Sequence, residues 1–209
     1  MDKSPADVVA AIVAVNGCIV MTPGHRKTVR HANEAGHAHL LTFSCYRRMP
    51  LLTNDAWRTL LSAPIDRATQ RHRYDLIAFV YMPEHVHLLV LPRQADYAVA
   101  KLLHGIKRPF SFRIGERLRA VRSPLLERLT VRERPGVTCF RFWQEGPGHD
   151  RNLVSVEALT GAADYIHLNP VRRGLIERPE QWRWSSSRHY LEPSRPPDPA
   201  LPCIHGFPA

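Results

Sequence analysis

The chain has 209 residues, of which 44% are hydrophobic and 23% charged, and these values are typical of a globular protein. Lysine and arginine outnumber the acids and give a formal net charge of +10, which favours a polyanionic partner such as nucleic acid, because neutralised phosphates release counterions. The four cysteines are scattered without a CxxC pair, so neither a disulfide framework nor a cysteine-based zinc site is indicated.

Three segments differ in composition. Residues 1–36 join an apolar run to a polar stretch and predict an N-terminal extension, either disordered or the product of a start codon assigned too far upstream. Its apolar part is too short to cross a bilayer, so we expect no membrane attachment and a cytoplasmic location. Residues 37–191 predict one domain. Residues 192–209 are rich in proline and predict an extended or disordered tail.

The predicted elements of residues 37–191 alternate between strand and helix. In chain order they are a strand at 39–46, a helix capped at Thr53-Asn54, strands at 76–82 and 85–91, a helix from Asp96 and a strand at 139–143. This order predicts an α+β, ferredoxin-like (βαββαβ) fold, a four-stranded antiparallel sheet with two helices on one face. We expect Pro109 to kink or restart the second helix and residues 119–136 to form a basic loop.

A further helix is predicted after this core. Ser155 is a suitable N-cap residue, apolar residues follow at helical spacing, and Pro170 is expected to end the helix. Tyr165 and Asn169 stand four residues apart and therefore share one face of this helix. Asn169 could supply an oxygen ligand to an ion that lies beside Tyr165. Taken alone, a tyrosine near a helix end is more often a packing residue.

His85 and His87, which stand two positions apart, interrupt the otherwise apolar strand predicted at 85–91. Residues i and i+2 of a strand point to the same face, so both imidazoles project together. Two neutral imidazoles side by side can bind a metal ion. Two histidines on a solvated or hydrogen-bonded sheet face are the alternative interpretation, because HxH is common by chance.

Positive charge is concentrated in residues 101–134, which contain ten Lys or Arg and three acids. Such a bias predicts a track that binds phosphates, and a solvated helix face is the alternative. Trp143 could stack on an unpaired base, although tryptophans are more often core residues. The residues expected to contact DNA are Lys101, Lys107, Arg108, Arg113, Arg172 and Arg173.

Several sequence motifs that follow one another in a fixed order point to one protein family. They are HLLTFSCYRRMPLL at 39–52, MPEHVHLLVLP at 82–92, FWQEG at 142–146, YIHLNPVRRGLIERP at 165–179 and WRWSSSRHY at 182–190. Together they resemble the single-tyrosine transposases of the HUH class, and most closely their REP-associated tyrosine transposase branch. The chain departs from that pattern at Pro147, where the family often has an aromatic residue, and in the extension before the first strand.

The resemblance implies a central strand whose His85 and His87 bind a metal, and a helix that brings the nucleophile Tyr165 to it. Asn169 stands where a polar residue completes the coordination in the family. The resemblance implies Mg²⁺ or Mn²⁺, whereas imidazole ligands alone would suit zinc or manganese. It also implies a single-stranded DNA substrate with a hairpin, and a monomer or homodimer, since both occur among relatives.

In such an enzyme the tyrosine oxygen attacks phosphorus, the DNA 3′-hydroxyl leaves, and a 5′-phosphotyrosine preserves the bond energy for later rejoining. Tyrosine has an ordinary pKa of about 10 and needs a base or a cation nearby; the sequence identifies no certain base. Two other functions stay open. One is a non-catalytic ferredoxin-like protein that binds nucleic acid through exposed aromatic residues. The other is a metal-dependent hydrolase, which would need more acidic ligands than Glu84.

Overall fold

The computed structural model describes residues 36–207, so the predicted N-terminal extension lies outside the described residues except for its last position. The strands are β1 Ala38–Ser44, β2 Tyr74–Tyr81, β3 His85–Pro92, β4 Thr130–Arg134, β5 Val137–Phe140 and β6 His149–Leu153. The helices are α1 Asp55–His72, α2 Val99–Ala120, α3 Leu125–Leu129, α4 Val156–Arg172 and α5 Ser187–Leu191. Short 3₁₀ turns lie at Tyr46–Arg48, Leu51–Thr53 and Pro179–Gln181.

The main sheet has the strand order β2-β3-β1-β6, and each neighbouring pair is antiparallel. The predicted ferredoxin-like arrangement is therefore confirmed. The predicted hairpin is also present, because β2 and β3 pair directly across the short Pro83-Glu84 connection. This pairing leaves β3 in the interior of the sheet, with a hydrogen-bonded strand on each side.

The identity of the last strand was predicted wrongly. Residues 139 and 140 belong to β5, which pairs with β4 in a separate two-stranded ribbon, and Trp143 makes only an isolated bridge to Cys45 just after β1. The fourth strand is β6, whose sequence HDRNL is polar because it lies at the sheet edge and is largely exposed. The predicted basic loop at 119–136 is likewise replaced by the end of α2, by α3 and by β4. Exposed strands made of charged residues lack the hydrophobic alternation that sequence patterns detect.

Helices α1 and α4 begin at their predicted caps, whereas the prolines inside α2 and α4 do not end these helices. The Asn54 side chain accepts a hydrogen bond from the Trp57 amide at the start of α1, and Ser155 does the same for Ala158 in α4. Helix α2 starts at Val99 rather than at Asp96 and continues through Pro109. Helix α4 passes Pro170 and ends two residues later.

Two apolar layers hold the sheet. Helices α1 and α2 pack on one face, against strand residues that include Leu41 and Leu88. Helix α4 covers the opposite face, where Ala162 and Ile166 pack against residues such as Val80. Trp143 is buried in the first layer among Phe43, Phe110 and Phe142, so it is not available to stack on a base.

The proline-rich tail packs against α1 and β2. The Ser62 hydroxyl donates to the Ala200 carbonyl, and the Cys203 amide donates to Asp66. Leu201 and Ile204 add apolar contacts with the core. Within residues 36–207, none of the helices has the length and apolarity that crossing a membrane requires.

Two glycines before β6 allow a matched test of how closely the chain approaches β1. Both have positive φ, 97° at Gly146 and 85° at Gly148. A Cβ at Gly148 would collide with the Thr42 carbonyl oxygen, whereas one at Gly146 would meet nothing. Alanine at either position should cost about 1–2 kcal/mol for the left-handed backbone.

We expect Gly148→Ala to reduce the free energy of unfolding by about 2 kcal/mol more than Gly146→Ala, because only Gly148→Ala also forces β6 away from β1. Urea unfolding of the two variants and the wild type measures the difference. Equal losses in the two variants would show that the contact with Thr42 does not constrain the edge strand.

Candidate active site

The centre of the site is the histidine pair on β3. His85 and His87 project from the α4 face of the sheet, each only 5% exposed, and their Nε2 atoms lie 3.0 Å apart. Because β3 is hydrogen-bonded on both sides, the backbone of both residues is fixed, and this holds the two Nε2 atoms close together. The predicted common face is confirmed by this geometry.

The other ring nitrogen of each histidine has its own partner. His85 Nδ1 lies 3.2 Å from Glu84 Oε1, and Arg173 donates to the same carboxylate oxygen at 2.7 Å. His87 Nδ1 lies 2.7 Å from Thr42 Oγ1, its cross-strand neighbour on β1. Because the Glu84 carboxylate can only accept a hydrogen bond, Nδ1 of His85 carries the hydrogen, and the lone pair of the neutral ring is at Nε2, where the two rings meet.

Burial keeps both imidazoles uncharged. Burial, together with the nearby His85 and His149 rings, lowers the pKa of His87 to about 3. Burial also lowers the pKa of His85, against the opposing effect of Glu84. The pKa of Glu84 is itself lowered: burial acts against ionisation, but the hydrogen bond from Arg173 and the proximity of His85 outweigh it. Neutral imidazoles are the form that coordinates a metal ion.

Helix α4 places Tyr165 and Asn169 against this pair. The Tyr165 ring centroid lies 5.4 Å from that of His87, and the side chain is 38% exposed. Asn169 Nδ2 lies 3.3 Å from His87 Nε2, while Asn169 Oδ1 is buried without a hydrogen-bond partner. The four residues predicted for the site are therefore adjacent in space. His167 faces elsewhere and contacts the Ser186 hydroxyl at 2.9 Å.

The donor set at this point fits a divalent ion. Two ligands bound at about 2.1 Å and at right angles to each other stand roughly 3 Å apart, which matches the separation of the two Nε2 atoms. A half-turn of the Asn169 amide would bring its unpartnered oxygen to His87. Within residues 36–207, no three His, Cys, Asp or Glu side chains are grouped to hold a metal, and the Asn169 amide is the further polar group that contacts His87 Nε2.

An open cavity of about 600 Å³ lies in front of Tyr165, and its walls carry His149, Arg151 and Arg172. The Arg172 guanidinium lies 5.5 Å from the centroid of the Tyr165 ring. His149 and Arg151 were missed at the sequence level because both lie on the polar edge strand β6. The signal that could have found them is their spacing of two residues, which in a strand directs residues 149 and 151 to one face.

The residues predicted to contact DNA are separated by the fold. Arg172 lies at the cavity, whereas Arg173 forms an ion pair with Glu84 behind the histidines. Lys107 donates to the Gly146 carbonyl over the Phe43 ring, and burial lowers its pKa to about 8. The remaining three, Lys101, Arg108 and Arg113, are exposed on α2, away from the histidine pair.

Comparison with known proteins connects this geometry to a family. Residues 33–129 match the model of the IS200-like transposases, a stretch that includes His85 and His87 but not Tyr165. A protein of Haemophilus influenzae named as a REP-associated tyrosine transposase is 27% identical over 118 residues, which are 56% of this chain and 61% of that relative. The chain thus spans about three fifths of the length of this curated relative. These matches confirm the resemblance inferred from the motifs.

One solved structure supports the fold. A structure described as the REP-associated tyrosine transposase bound to a REP hairpin has a TM-score of 0.59 at 19% identity, covering 90% of this chain and 95% of that chain. A protein of Deinococcus radiodurans named as a transposase has a TM-score of 0.41 at 16% identity, covering 69% of this chain and 95% of that one. The second value is too low to support an argument.

The low pKa of His87 has a measurable effect on stability. Below the unfolded-state value of about 6.5, the unfolded chain takes up a proton at His87 that the folded chain does not. For the metal-free protein, stability should therefore fall as the pH is lowered from 6.5, and His87 alone should contribute about 1.4 kcal/mol per pH unit. Denaturant unfolding across this range should give a shallower pH dependence for His87→Gln than for the wild type. Parallel curves would mean that His87 is freely protonated in the folded state.

Proposed function

Since the chain is related to the IS200-like, single-tyrosine transposases, we propose that it binds single-stranded DNA carrying a hairpin and cleaves it by attack of Tyr165 on a phosphodiester. The observation that carries the proposal is the position of the Tyr165 ring 5.4 Å from His87, directly beside the converging imidazoles. Tyr165 is partly exposed and lines the cavity. The structural relative's REP hairpin supports a hairpin as the substrate.

The proposed step is a transesterification that leaves the number of phosphoester bonds unchanged. The Tyr165 oxygen forms a bond to phosphorus, and the bond from phosphorus to the DNA 3′ oxygen breaks. The phenol loses its proton, and the leaving 3′ oxygen takes up a proton to become a hydroxyl. The 5′-phosphotyrosine that results can be attacked later by a free 3′-hydroxyl. Arg172 lies 5.5 Å from the Tyr165 ring, where its positive charge can stabilise the phosphate and the phenolic oxygen.

We assign His85, His87 and Asn169 to a divalent ion, Mg²⁺ or Mn²⁺. When bound, the ion would polarise a phosphate oxygen and stabilise the negative charge of the transition state. Glu84 and Thr42 hold the two rings through their Nδ1 atoms, so they fix the direction in which Nε2 points. Arg173 holds Glu84 and therefore acts on the site indirectly as well as through any contact with DNA.

A non-catalytic nucleic-acid-binding role is the weaker alternative. It would need exposed aromatic residues on the central strands β1 and β3, but Phe43 of β1 is buried and β3 contains no Phe, Tyr or Trp. It would also not explain why the histidines, Tyr165 and Asn169 lie next to one another. A hydrolase with additional acidic ligands is not favoured either. Glu84 contacts His85 Nδ1 rather than the point where the Nε2 atoms meet, and within residues 36–207 Glu157, which lines the same cavity, forms no metal-ligand group with the histidines.

The first test replaces the nucleophile. We expect Tyr165→Phe to abolish cleavage of a single-stranded hairpin substrate and the formation of a covalent protein–DNA adduct, with little change in binding, because only one oxygen is removed. Tyr46→Phe, at a partly exposed tyrosine outside the site, is the matched control and should retain activity. Denaturing gels and gel-shift assays measure the two effects, and undiminished cleavage by Tyr165→Phe would refute the assignment.

The second test concerns the metal. His85→Ala and His87→Ala should each abolish metal-dependent cleavage and weaken Mn²⁺ binding in calorimetry, whereas Asn169→Ala should weaken both less, since two imidazoles remain. The exposed His189→Ala is the matched control. If a protein lacking both His85 and His87 bound Mn²⁺ as tightly as the wild type, the ion would have to be held elsewhere.

A further inference from the structure

Strand β6 brings two side chains to the cavity at Tyr165 but has a backbone partner on one side only. Within residues 36–207 it lies at the edge of the main sheet and pairs with β1 and with no other strand. His149 and Arg151 stand two positions apart on it, are exposed, and line the cavity. Exposed backbone hydrogen bonds at a sheet edge open more readily than those of an interior strand. The position of these two side chains therefore depends on what else holds β6.

Asp150, which stands between these two residues, points to the other face of the sheet, where α1 and α2 pack. Its Oδ1 atom lies 2.9 Å from Nδ1 of His39 on β1, and the two side chains are 2% and 0% exposed. Because an ionised carboxylate accepts hydrogen bonds and cannot donate them, His39 Nδ1 is the donor. A side-chain hydrogen bond that is shielded from water thus joins β6 to β1 in addition to the backbone hydrogen bonds.

This hydrogen bond runs diagonally across the two strands. Asp150 stands opposite Leu41, whereas His39 stands opposite Asn152, so the bond joins positions that are two residues out of step. A slip of β6 by one residue would turn Asp150 to the α4 face and break the bond. The bond therefore fixes the register of β6 against β1.

His39 is itself held from the opposite side. Its Nε2 atom lies 2.8 Å from the Tyr97 hydroxyl, and the Tyr97 ring packs edge-to-face on Tyr74 with the centroids 5.9 Å apart. Both tyrosines belong to the apolar layer under α1 and α2. An imidazole with a partner at each nitrogen cannot turn away from Asp150 without losing a hydrogen bond. The packed core thus sets the position of His39, and His39 sets the position of Asp150.

The backbone of β6 carries this constraint to the opposite face. Arg151 and His149 share the cavity with Tyr165, so a phosphate brought to Tyr165 enters a cavity that also carries the Arg151 guanidinium, a group suited to phosphate oxygens. A misplacement of about 1 Å at a reacting group can slow a reaction roughly a hundredfold. A shift of β6 would therefore slow the reaction without removing any side chain from the cavity.

We propose that His39 and Asp150 are positioning residues of the active site, and that their hydrogen bond on the α1/α2 face holds Arg151 at the substrate phosphate on the α4 face. This inference rests on the proposed function for its choice of reaction. It assigns a role to two buried polar side chains on the far side of the sheet from Tyr165, which no step of the proposed reaction uses.

The first experiment separates the rate of cleavage from substrate binding, with a single-stranded hairpin DNA and Mn²⁺. Asp150→Ala should lower the single-turnover cleavage rate at least about tenfold and change the dissociation constant for the hairpin less than about threefold, because the cations of the cavity remain but are displaced. Asp150→Asn keeps an oxygen that can accept from His39 and should stay within about threefold of the wild-type rate. Asn152→Ala, on the same strand and the same face, is the matched control and should keep the wild-type rate.

A double-mutant cycle tests whether the hydrogen bond acts through Arg151. Arg151→Gln alone should slow cleavage at least about tenfold. Asp150→Ala/Arg151→Gln should be at most about twofold slower than the slower of the two single variants, because both changes remove the same positioned cation. Losses that multiply would overturn the proposal, and so would equal losses for Asn152→Ala and Asp150→Ala.

Amide hydrogen exchange gives a readout that does not depend on activity. In Asp150→Ala the amides of β6 should exchange at least about tenfold faster than in the wild type, while those of β3 keep their rates, because only the edge strand is released. Equal acceleration in both strands would show a general loss of stability and would overturn the proposal. Cleavage by Asp150→Ala at the wild-type rate would overturn this inference alone, whereas a wild-type protein that cleaves no hairpin DNA would overturn the proposed function.

Discussion

The convergence of two buried, uncharged imidazoles on the interior strand β3 is the constraint on which the site depends. Burying two polar rings removes their hydrogen bonds to water, so each ring needs hydrogen-bond partners in the protein. The Nδ1 contacts to Glu84 and Thr42 provide them. Those contacts in turn require β1 beside β3 in the observed register, because Thr42 stands opposite His87. The sheet order and the chemistry of the site are therefore parts of one arrangement.

Helix α4 completes the arrangement by covering the face that carries the histidines. Its apolar side, with Ala162 and Ile166, packs on the sheet and fixes the height at which Tyr165 and Asn169 meet His87. Asn169 pays for this position with an unpartnered buried oxygen, which normally costs about 1–3 kcal/mol. A buried acceptor without a donor, next to two imidazole nitrogens, is understandable if the site is organised around a cation.

Elements with a regular apolar pattern could be predicted from the sequence, whereas the polar strand β6 could not. The hairpin of β2 and β3, the caps at Asn54 and Ser155, and the shared face of Tyr165 and Asn169 follow from local rules of spacing and capping. Edge strand β6 carries the sequence HDRNL, which has no apolar alternation, so its His149 was not found. Arg173 was expected to bind DNA, but its ion pair with Glu84 depends on a tertiary contact between α4 and the β2–β3 turn.

Pro109 and Pro170 do not end their helices, and the reason is common to both. Proline removes one hydrogen-bond donor from a helix, and sequence rules treat that loss as a boundary. In α2 and α4 the apolar face continues beyond the proline, as Phe110 and Ile114 show in α2, and packing on the sheet outweighs the missing hydrogen bond. The same packing carries Arg172 to the cavity, since α4 would end before it if Pro170 were a stop.

The most direct measurement of the central claim is peptide mapping of the covalent adduct. The wild-type protein would be incubated with a single-stranded hairpin DNA and Mn²⁺, the adduct digested with protease and nuclease, and the modified peptide sequenced by mass spectrometry. A nucleotide attached through a 5′-phosphate to Tyr165 is the predicted result. Attachment to another residue, or efficient cleavage with no covalent adduct, would contradict the role of α4 in bringing a nucleophile to the histidine pair.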